Sequence, residues 1–511
     1  MADEGIFVGG GGPAQNTAQR LAYDLANRHG LITGATGTGK TVTMQILAEG
    51  FSAAGVPVFM ADVKGDVSGL SQAGEAKDFL FKRADTIGLD GFELRAFPTV
   101  FWDLFGQAGH PVRTTISEIG PLLLARMLDL TEVQEGVLTI AFAVADDQNL
   151  ALLDLEDLRA MLVWLDENAP DVKARYGNVS SASIGAIQRA LLVLENEGAA
   201  GFLGEPALDL SDLMATRDGQ GQINVLMADR LMSSPRLYAM FLLWLLSELF
   251  ETLPEIGNPD RPKLVFFFDE AHLLFDTAPK ALIDRIEQVV RLIRSKGVGV
   301  YFVTQNPDDV PPDVLSQLGN RIQHALRAFT PRDAKALKLA AETFRPNPEF
   351  DTETAIREVG TGEAVTSLLE GKAVPGMAQR TLIRPPSSRM GPLTEGERAA
   401  TLAASPLAGR YDTAVNRESA HEKLAARAEE AAAESERADA VQAEASAAFE
   451  AFNNARRYTP PKARTQARSS RKSRAEPSLS EALTKTVIKQ LNSREGQKLV
   501  RGILGGLFRG R

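Results

Sequence analysis

Apolar residues recur along the chain in two alternating patterns, one typical of buried strands and one typical of helices. Short apolar runs at His29–Gly34 and Val56–Val63 predict buried strands, and the stretch between them, Thr41–Ala54, has the spacing of a helix that Gly55 ends. Strand signals return later in the chain, at Ile223–Asp229, Lys263–Asp269, Val298–Gln305, Arg321–Leu326, Gly362–Leu369 and Met377–Ile383. Strands that alternate with helices in this way are typical of an α/β fold with a mainly parallel central sheet.

One long segment interrupts this alternation. Residues 113–215 carry apolar side chains at positions i, i+3, i+4 and i+7, with few strand signals. This pattern predicts an all-helical insertion. It divides the α/β core into a first part, residues 29–112, and a second part, residues 216–385.

The two ends of the chain have different compositions from the core. Residues 1–28 are a lead-in, with glycines at 9–12 followed by a helix-like segment. Pro385–Ser388 is expected to end the globular part, and residues 386–455 form an Ala/Glu-rich helical segment with few core-forming side chains. Residues 456–478 indicate a basic, disordered linker, and residues 479–511 a short helix.

The composition excludes several classes of protein. Of the 511 residues, none is cysteine, which rules out disulfides, thiolate nucleophiles and cysteine-ligated metals. The five histidines are scattered and show no metal-ligand spacing. The acidic start Met1–Glu4 does not resemble a signal peptide, and the apolar stretch Leu237–Phe250 is too short to span a bilayer. We therefore expect a cytoplasmic protein without stable membrane insertion.

Charge is distributed unevenly. The net charge is −10, yet residues 456–511 contain 15 Lys and Arg against 3 Asp and Glu. The rest of the chain is correspondingly acidic. This asymmetry is not the overall basic signature of a protein that coats nucleic acid.

The strongest local motif lies between the first predicted strand and helix. It has the form G-x-x-x-x-G-K-T, in which glycines let consecutive amides point at one anion and the helix N-terminus adds partial positive charge. Lys40 is expected to reach the β- and γ-phosphates, and the Thr41 hydroxyl to ligate Mg²⁺. The predicted nucleotide-binding residues are Gly34, Ala35, Thr36, Gly37, Thr38, Gly39, Lys40 and Thr41.

Two adjacent carboxylates end the predicted strand at Lys263–Asp269. Strand ends of this kind face the ligand crevice of a parallel sheet. Asp269 can hold Mg²⁺ through water, and Glu270 can polarise an attacking water, so the pair indicates hydrolysis. Gln305 ends another strand, where its amide can sense the γ-phosphate or position water, although a plain strand-end residue is the alternative.

The string Asp269-Glu270-Ala271-His272 suggests a DEAH-box helicase, but the downstream evidence is against that class. The next strand ends in Val303-Thr304-Gln305-Asn306 rather than Ser-Ala-Thr, and no second motor domain is visible. An ABC ATPase is also disfavoured, because no LSGGQ-like segment occurs.

Taken together, these motifs resemble the HerA–FtsK group of ATPases. The likeness rests on Asn27–Thr41, Asp62–Asp66, the Asp269-Glu270 pair and Arg294–Gln305, and it covers roughly residues 5–385. The chain is most similar to the bacterial YjgR-like family (DUF853), whose function is unknown. The role of the loop Asp62–Asp66 stays open, since by family likeness it can lie near the γ-phosphate or the pore, or it can be a structural turn.

The resemblance implies a RecA-like P-loop fold, ATP and Mg²⁺ as cofactors, and hexameric rings with active sites at subunit interfaces. Relatives carry an arginine finger 11 residues before the strand-end Gln, which corresponds to Arg294. Two alternatives remain: Arg294 can cap the preceding helix, or Arg291 can be the finger.

Three functions are consistent with these observations. The first is an ATP-driven ring motor that acts on DNA, with the basic linker as a DNA-engaging arm. The second is an ATPase that remodels or scaffolds protein partners without nucleic acid. The third is attachment of the terminal helix to anionic lipid, which one such helix supports only marginally.

Overall fold

The computed structural model describes residues 5–276, 280–328 and 330–455. By its contacts the chain divides into two units, Met1–Ala433 and Glu434–Arg511. The predicted linker 456–478 and terminal helix 479–511 lie outside the described residues. The first unit contains the strands and nearly all the helices described below.

The strands share short lengths and mostly buried side chains. They are β1 (Gly5–Gly11), β2 (Thr17–Ala22), β3 (Gly30–Thr33), β4 (Val58–Asp62), β5 (Thr99–Asp103), β6 (His110–Pro111), β7 (Thr216–Arg217), β8 (Gln220–Gly221), β9 (Ile223–Met227), β10 (Leu264–Phe268), β11 (Val298–Thr304), β12 (Asn320–Gln323), β13 (Glu363–Ser367), β14 (Leu369–Glu370), β15 (Val374–Pro375) and β16 (Gln379–Ile383).

The α-helices fall between and after these strands. They are α1 (Lys40–Ala53), α2 (Asp78–Thr86), α3 (Ile116–Met127), α4 (Glu132–Asp147), α5 (Leu155–Glu167), α6 (Ala169–Arg175), α7 (Ser181–Asn196), α8 (Leu210–Leu213), α9 (Pro235–Thr252), α10 (His272–Asp276), α11 (Lys280–Ile293), α12 (Pro312–Leu315), α13 (Pro331–Glu342), α14 (Thr352–Glu358), α15 (Glu395–Ala403) and α16 (Ala420–Ala455).

Within the described residues, twelve strands form one sheet in the order β2-β1-β16-β13-β12-β3-β11-β10-β4-β9-β5-β6. Every pairing from β12 to β6 is parallel, and the pairings from β12 to β2 are antiparallel. The mainly parallel α/β sheet predicted from the sequence is therefore confirmed. Because the strands from β12 to β4 are parallel, their carboxyl ends meet at one edge.

Helices cover both faces of this sheet. Along β10, Phe266 and Phe268 belong to one apolar cluster, and Val265 and Phe267 belong to another. The first cluster includes the helices of residues 116–213 and α9, and the second includes α1. A strand that is buried on both faces reads as a continuous apolar run, which explains why Leu264–Phe268 was recognisable in the sequence.

The helix-like segment expected within residues 1–28 was wrong. Residues 5–11 and 17–22 form the antiparallel hairpin β1–β2, which extends the sheet through β16 and is followed by a short 3₁₀ helix, Tyr23–Arg28. Gly9 shows why this strand contains glycine, because a Cβ atom there would lie 2.2 Å from the carbonyl oxygen of Leu382. Strands that approach one another this closely lack the side chains that make a strand visible in a sequence.

The globular part does not end at Pro385–Ser388, contrary to the sequence-based expectation. The backbone amides of Ser387 and Ser388 each donate at 2.9 Å to the buried Glu49 carboxylate on α1. Further along, the ring of Tyr411 is buried against Trp102. A charged side chain inside the core therefore fixes this segment, and a composition-based boundary does not detect such a contact.

The Ala/Glu-rich segment predicted to be helical contains α15 and the 36-residue helix α16. The side chains described on α16 beyond Ala433 are exposed, including Val441 and Phe449. Among the described residues, no helix is both long enough and apolar enough to cross a membrane.

Candidate active site

The predicted phosphate-binding loop joins β3 to α1. Three of its glycines, Gly34, Gly37 and Gly39, have φ values of +149°, +78° and +116°. Glycine adopts these angles without steric cost, which lets the loop curl over the first turn of α1. Thr36 and Gly37 are exposed at its tip, where its amides are open to an anion.

The two polar residues that begin α1 point into this loop. The Lys40 ammonium donates to the carbonyl oxygens of Gly34 at 2.6 Å and Ala35 at 3.2 Å. The Thr41 hydroxyl lies 3.4 Å from a carboxylate oxygen of Asp66. Burial lowers the pKa of Lys40, as does the nearby charge of Lys64.

The sheet order separates the loop from the two carboxylates by one strand. β11 lies between β3 and β10, so Asp269 and Glu270 lie two strand spacings, about 10 Å, from the strand that carries the loop. That gap accommodates a terminal phosphate and a water molecule between the loop amides and the carboxylates.

A second pair of carboxylates follows β4, beside the first. Burial raises the pKa of Asp62 to about 7, and the charges of Asp66 and Asp269 act in the same direction. Burial also raises the pKa of Asp269 to about 7, with Glu270 as the next cause. We call Asp62, Asp66, Asp269 and Glu270 the acidic flank of the loop.

Glu270 differs from its neighbours because a lysine ammonium forms an ion pair with it. Its two oxygens face the ammonium of Lys64 and, at 3.2 Å, the Nδ1 atom of His272. Burial alone would raise the pKa of Glu270, but the hydrogen bond and charge of Lys64 hold it below its ordinary value. Its φ of +49° is unusual for a residue with a side chain and occurs where surrounding structure enforces it.

The acidic flank has hydrogen-bonding capacity that the protein does not use. One buried oxygen each of Asp66, Asp269 and Glu270 has no hydrogen-bond partner. Unpaired buried carboxylate oxygens next to the Thr41 hydroxyl fit a hard divalent cation, which prefers oxygen ligands. No group of three or more His, Cys, Asp or Glu in the described part of the chain is arranged as a metal cage.

Gln305 lies at the same sheet edge, directly after β11. Its side chain is exposed, and its backbone carbonyl accepts a 3.2 Å hydrogen bond from the amide of Gly34. The residue therefore anchors the start of the loop through its backbone, while its amide side chain remains available to a ligand. Its predicted role as a sensor stays a prediction.

Arg294 lies at the opposite edge of the sheet. It begins a 3₁₀ turn before β11, whose seven residues, at about 3.3 Å each, separate it from the loop by about 20 Å. An arginine side chain cannot span that distance. Arg294 therefore does not reach the site of its own subunit, and its predicted role requires the site of a neighbour.

A group of residues that the motifs did not identify supports the other side of the loop. His324 follows β12, and its Nδ1 and Nε2 atoms lie 2.9 Å from the Glu363 carbonyl oxygen and 2.8 Å from the Thr43 hydroxyl. The Ala325 carbonyl accepts from the Ala35 amide at 2.8 Å, and the Gly362 amide donates to the Thr38 carbonyl at 3.0 Å. We call His324, Ala325 and Gly362 the brace.

The brace explains the first glycine of the motif. A Cβ atom at Gly34 would lie 2.5 Å from the Cβ atom of His324, which is closer than real side chains approach. At Gly37 an added Cβ meets nothing within 4 Å, so only the backbone angle requires glycine there. A polar residue directly after an apolar strand was the available signal for His324, since Gly34, Asp269 and Gln305 occupy the same position on neighbouring strands.

Comparison with known proteins gives one family match over most of the chain. A family model described as Helicase HerA-like C-terminal matches residues 11–511. A curated relative, a probable helicase of Methanocaldococcus jannaschii, is 34% identical over 119 residues. That match covers 22% of this chain and spans about a fifth of the relative, 21% of its length.

Solved structures are similar at low sequence identity. The bacterial conjugative coupling protein TrwB is 16% identical, with 76% of this chain and 92% of that chain covered and a TM-score of 0.47. VirB4 of Thermoanaerobacter pseudethanolicus is 15% identical, with 75% and 97% covered and a TM-score of 0.48. A further TrwB structure contains ADP and Mg²⁺; it is 16% identical, covers 73% and 91%, and has a TM-score of 0.46.

Proposed function

The chain belongs to the HerA-like C-terminal helicase family, as its motif resemblance predicted, and from this premise we propose that it is a magnesium-dependent ATP hydrolase that works as a ring-forming motor. One observation carries the proposal. An amide-lined loop faces, across one strand, buried carboxylates whose oxygens lack partners. Buried polar atoms without a hydrogen-bond partner are rare in proteins, and several of them together indicate a place where a ligand supplies the missing bonds.

Each residue of the site has a distinct task in this mechanism. Lys40 exchanges its carbonyl partners for the β- and γ-phosphate oxygens, to which an ammonium bonds more strongly. Thr41 and Asp269 are the residues that would hold the metal, directly and through water. Glu270 accepts the proton of the attacking water, and the Gln305 amide orients that water or the terminal phosphate. When bound, Mg²⁺ neutralises charge on the β- and γ-phosphates.

Arg294 completes the site from a neighbouring subunit in this proposal. Its position about 20 Å from the loop of its own chain supports a role in trans. The charge of the neighbouring Arg28 lowers the pKa of Arg294, as burial does. Two guanidinium groups on one edge favour an anionic partner. Arginine fingers in well-studied phosphoryl-transfer enzymes increase the rate by about 10³–10⁵.

Subunit mixing tests this shared site. Arg294→Ala and Lys40→Ala proteins should each be nearly inactive, and ATPase activity should return when they are mixed and reassembled. Some interfaces then combine an intact loop with an intact finger. Arg291→Ala is the matched comparison, because Arg291 is exposed at the end of α11. If Arg291→Ala protein is inactive alone and its ATPase activity returns on mixing with Lys40→Ala protein, the arginine finger is Arg291 rather than Arg294. If no activity returns at any mixing ratio of Arg294→Ala and Lys40→Ala, the site is not shared between subunits.

For the molecule on which the motor acts, we propose DNA. The family description, which names a helicase, supports this choice, as does the excess of Lys and Arg in residues 456–511. The rest of the chain is acidic, which weakens general affinity for phosphate backbones. Remodelling of protein partners without nucleic acid is therefore the second candidate.

Steady-state ATPase assays distinguish the two candidates. The full chain is assayed with magnesium alone, with double-stranded DNA and with single-stranded DNA, from low to high salt. For a DNA motor we expect stimulation that falls steeply with salt, because phosphate contacts release counterions. A basal rate that DNA leaves unchanged at every salt concentration would favour the protein-directed ATPase. No magnesium-dependent hydrolysis under any condition would refute the proposed function.

A further inference from the structure

Lys64 forms an ion pair with the proposed general base. Its ammonium contacts one oxygen of Glu270, whose side chain is 5% exposed, whereas the Lys64 side chain is 39% exposed. A carboxylate that accepts from an ammonium is a weaker base than a free one, because protonating it breaks the ion pair. In this arrangement the Oε1 atom of Glu270 is therefore occupied by Lys64.

The loop that carries Lys64 is anchored at its base and open at its apex. The buried Asp62 carboxylate accepts from the amides of Asp66 at 3.2 Å and Val67 at 3.0 Å. Next to Lys64, Gly65 has a φ of +73°, and an added Cβ there would meet nothing within 4 Å. The base of the turn is thus fixed, while the Lys64 side chain is partly exposed on a flexible four-carbon stem.

The ammonium of Lys64 lies in the same electrostatic environment as the loop lysine. The charge of Lys64 contributes to the lowered pKa of Lys40, and both lysines interact with Asp269 and Glu270. Lys40 donates to two backbone carbonyls, which are neutral acceptors. Lys64 instead pairs with a charged acceptor, the Glu270 carboxylate. Lys64 therefore acts on the catalytic carboxylate through a direct ion pair, whereas Lys40 acts on it only through its charge.

We propose that Lys64 is a triphosphate-dependent switch of Glu270. It pairs with Glu270 when no triphosphate is bound, and it transfers to the terminal phosphate when ATP binds, which frees Glu270 to accept a proton from water. A terminal phosphate carries more negative charge than one carboxylate and offers three acceptor oxygens, so it competes well for a mobile ammonium. ADP lacks that group and leaves the ion pair in place. This inference rests on the proposed ATPase function.

The switch predicts that Lys64 distinguishes triphosphate from diphosphate. Dissociation constants are measured by calorimetry on the full chain with magnesium, for ATPγS and for ADP. Lys64→Met keeps most of the length of the side chain and removes its charge. We expect it to weaken ATPγS binding about tenfold to a hundredfold, as for loss of one charge-assisted contact, and to change ADP binding less than about twofold. Lys64→Arg should restore most of the affinity for ATPγS.

Lys77→Met is the matched control, because Lys77 pairs with Glu75 at the exposed surface. It should leave both affinities unchanged. A control that lowered ATPγS affinity as much as Lys64→Met would overturn the proposal, since the effect would then be general loss of positive charge.

A double-mutant cycle tests the exchange between partners. Glu270→Gln removes the carboxylate that holds Lys64, so it should tighten ATPγS binding. Part of this gain in affinity comes from weaker repulsion between residue 270 and the phosphates, and this part persists in the Lys64→Met background. The part due to the switch should disappear in the Lys64→Met background. Equal gains in both backgrounds would overturn the switch.

The outcomes separate this inference from the function on which it depends. Wild-type protein that binds ATPγS while Lys64→Met binds it equally well overturns the switch and leaves the ATPase proposal intact. Wild-type protein that binds neither nucleotide refutes the ATPase proposal itself, and the switch with it.

Discussion

The two sides of the phosphate-binding loop are built differently. On the acidic flank, Asp66, Asp269 and Glu270 each have a buried oxygen without a hydrogen-bond partner. On the brace, both ring nitrogens of His324 have partners, and Ala325 and Gly362 bond to the loop through their backbones. Each side is mostly buried, with one half-buried member, Asp66 or Gly362, so exposure does not distinguish them.

The difference indicates which side binds and which side supports. An unpaired buried polar atom costs about 1–3 kcal/mol, so a set of them marks a place that a ligand completes. A fully bonded neutral network has nothing left to offer a ligand and makes the loop rigid instead. Substitutions on the acidic flank should therefore change catalysis, and substitutions on the brace should change stability.

The largest expected effect is on the catalytic side. Glu270→Gln and Lys40→Ala should each lower kcat at least about a hundredfold, because one removes the proton acceptor and the other removes charge stabilisation of the transferred phosphoryl group. The free energy of unfolding should fall little in Glu270→Gln, since the carbonyl oxygen of Gln can still accept from the partly exposed Lys64 ammonium, and Oε2 of Glu270 makes no hydrogen bond in the folded state. Steady-state ATPase and chemical denaturation measure the two effects.

Glu75→Gln and Lys77→Ala are matched controls for these substitutions. Both residues are exposed and lie in the loop that precedes α2, where they form an ion pair with each other. Their rates should equal that of the wild type. An unchanged rate in Glu270→Gln or Lys40→Ala would remove the contrast between the two flanks.

The acidic flank was partly predictable from sequence, through Asp269 and Glu270, and the brace was not. These two residues, like Lys40 and Thr41 of the loop, lie in short contiguous motifs, so their place in the site follows from local spacing. His324 contacts Thr43 across 281 residues, and only the sheet order brings them together. The place of His324 directly after an apolar strand marks it as a strand-end residue but does not identify this contact.

The same physical limit explains the errors in the fold. Strands such as β10 were evident because both faces are apolar. The hairpin β1–β2 was missed because its glycines serve close backbone contact, and the segment after Pro385 was missed because a buried Glu49 holds it. Arg294 is intermediate, since family spacing selected it but only the sheet geometry shows that it cannot serve its own subunit.

A smaller effect is expected on the stability of the fold in acid, and it concerns the brace. Burial lowers the pKa of His324 to about 4, against about 6.5 when unfolded. The neutral ring therefore stabilises the fold fully above pH 6.5, and this contribution is lost as the pH falls toward 4. Between pH 7.5 and 5 the loss is about 2 kcal/mol. The raised pKa values of Asp62 and Asp269 act oppositely, because their contribution is lost as the pH rises through about 7.

Replacing the ring isolates its share of this balance. His324→Gln keeps hydrogen-bonding atoms but cannot titrate, so the free energy of unfolding should fall by about 2 kcal/mol less between pH 7.5 and 5 than in the wild type, as measured by denaturation without nucleotide. His421→Gln is the matched control for loss of an imidazole, because His421 is 49% exposed on α16. Parallel profiles for wild type and His324→Gln would mean that the brace does not depend on a neutral imidazole. The two flanks would then not be opposed in their response to pH.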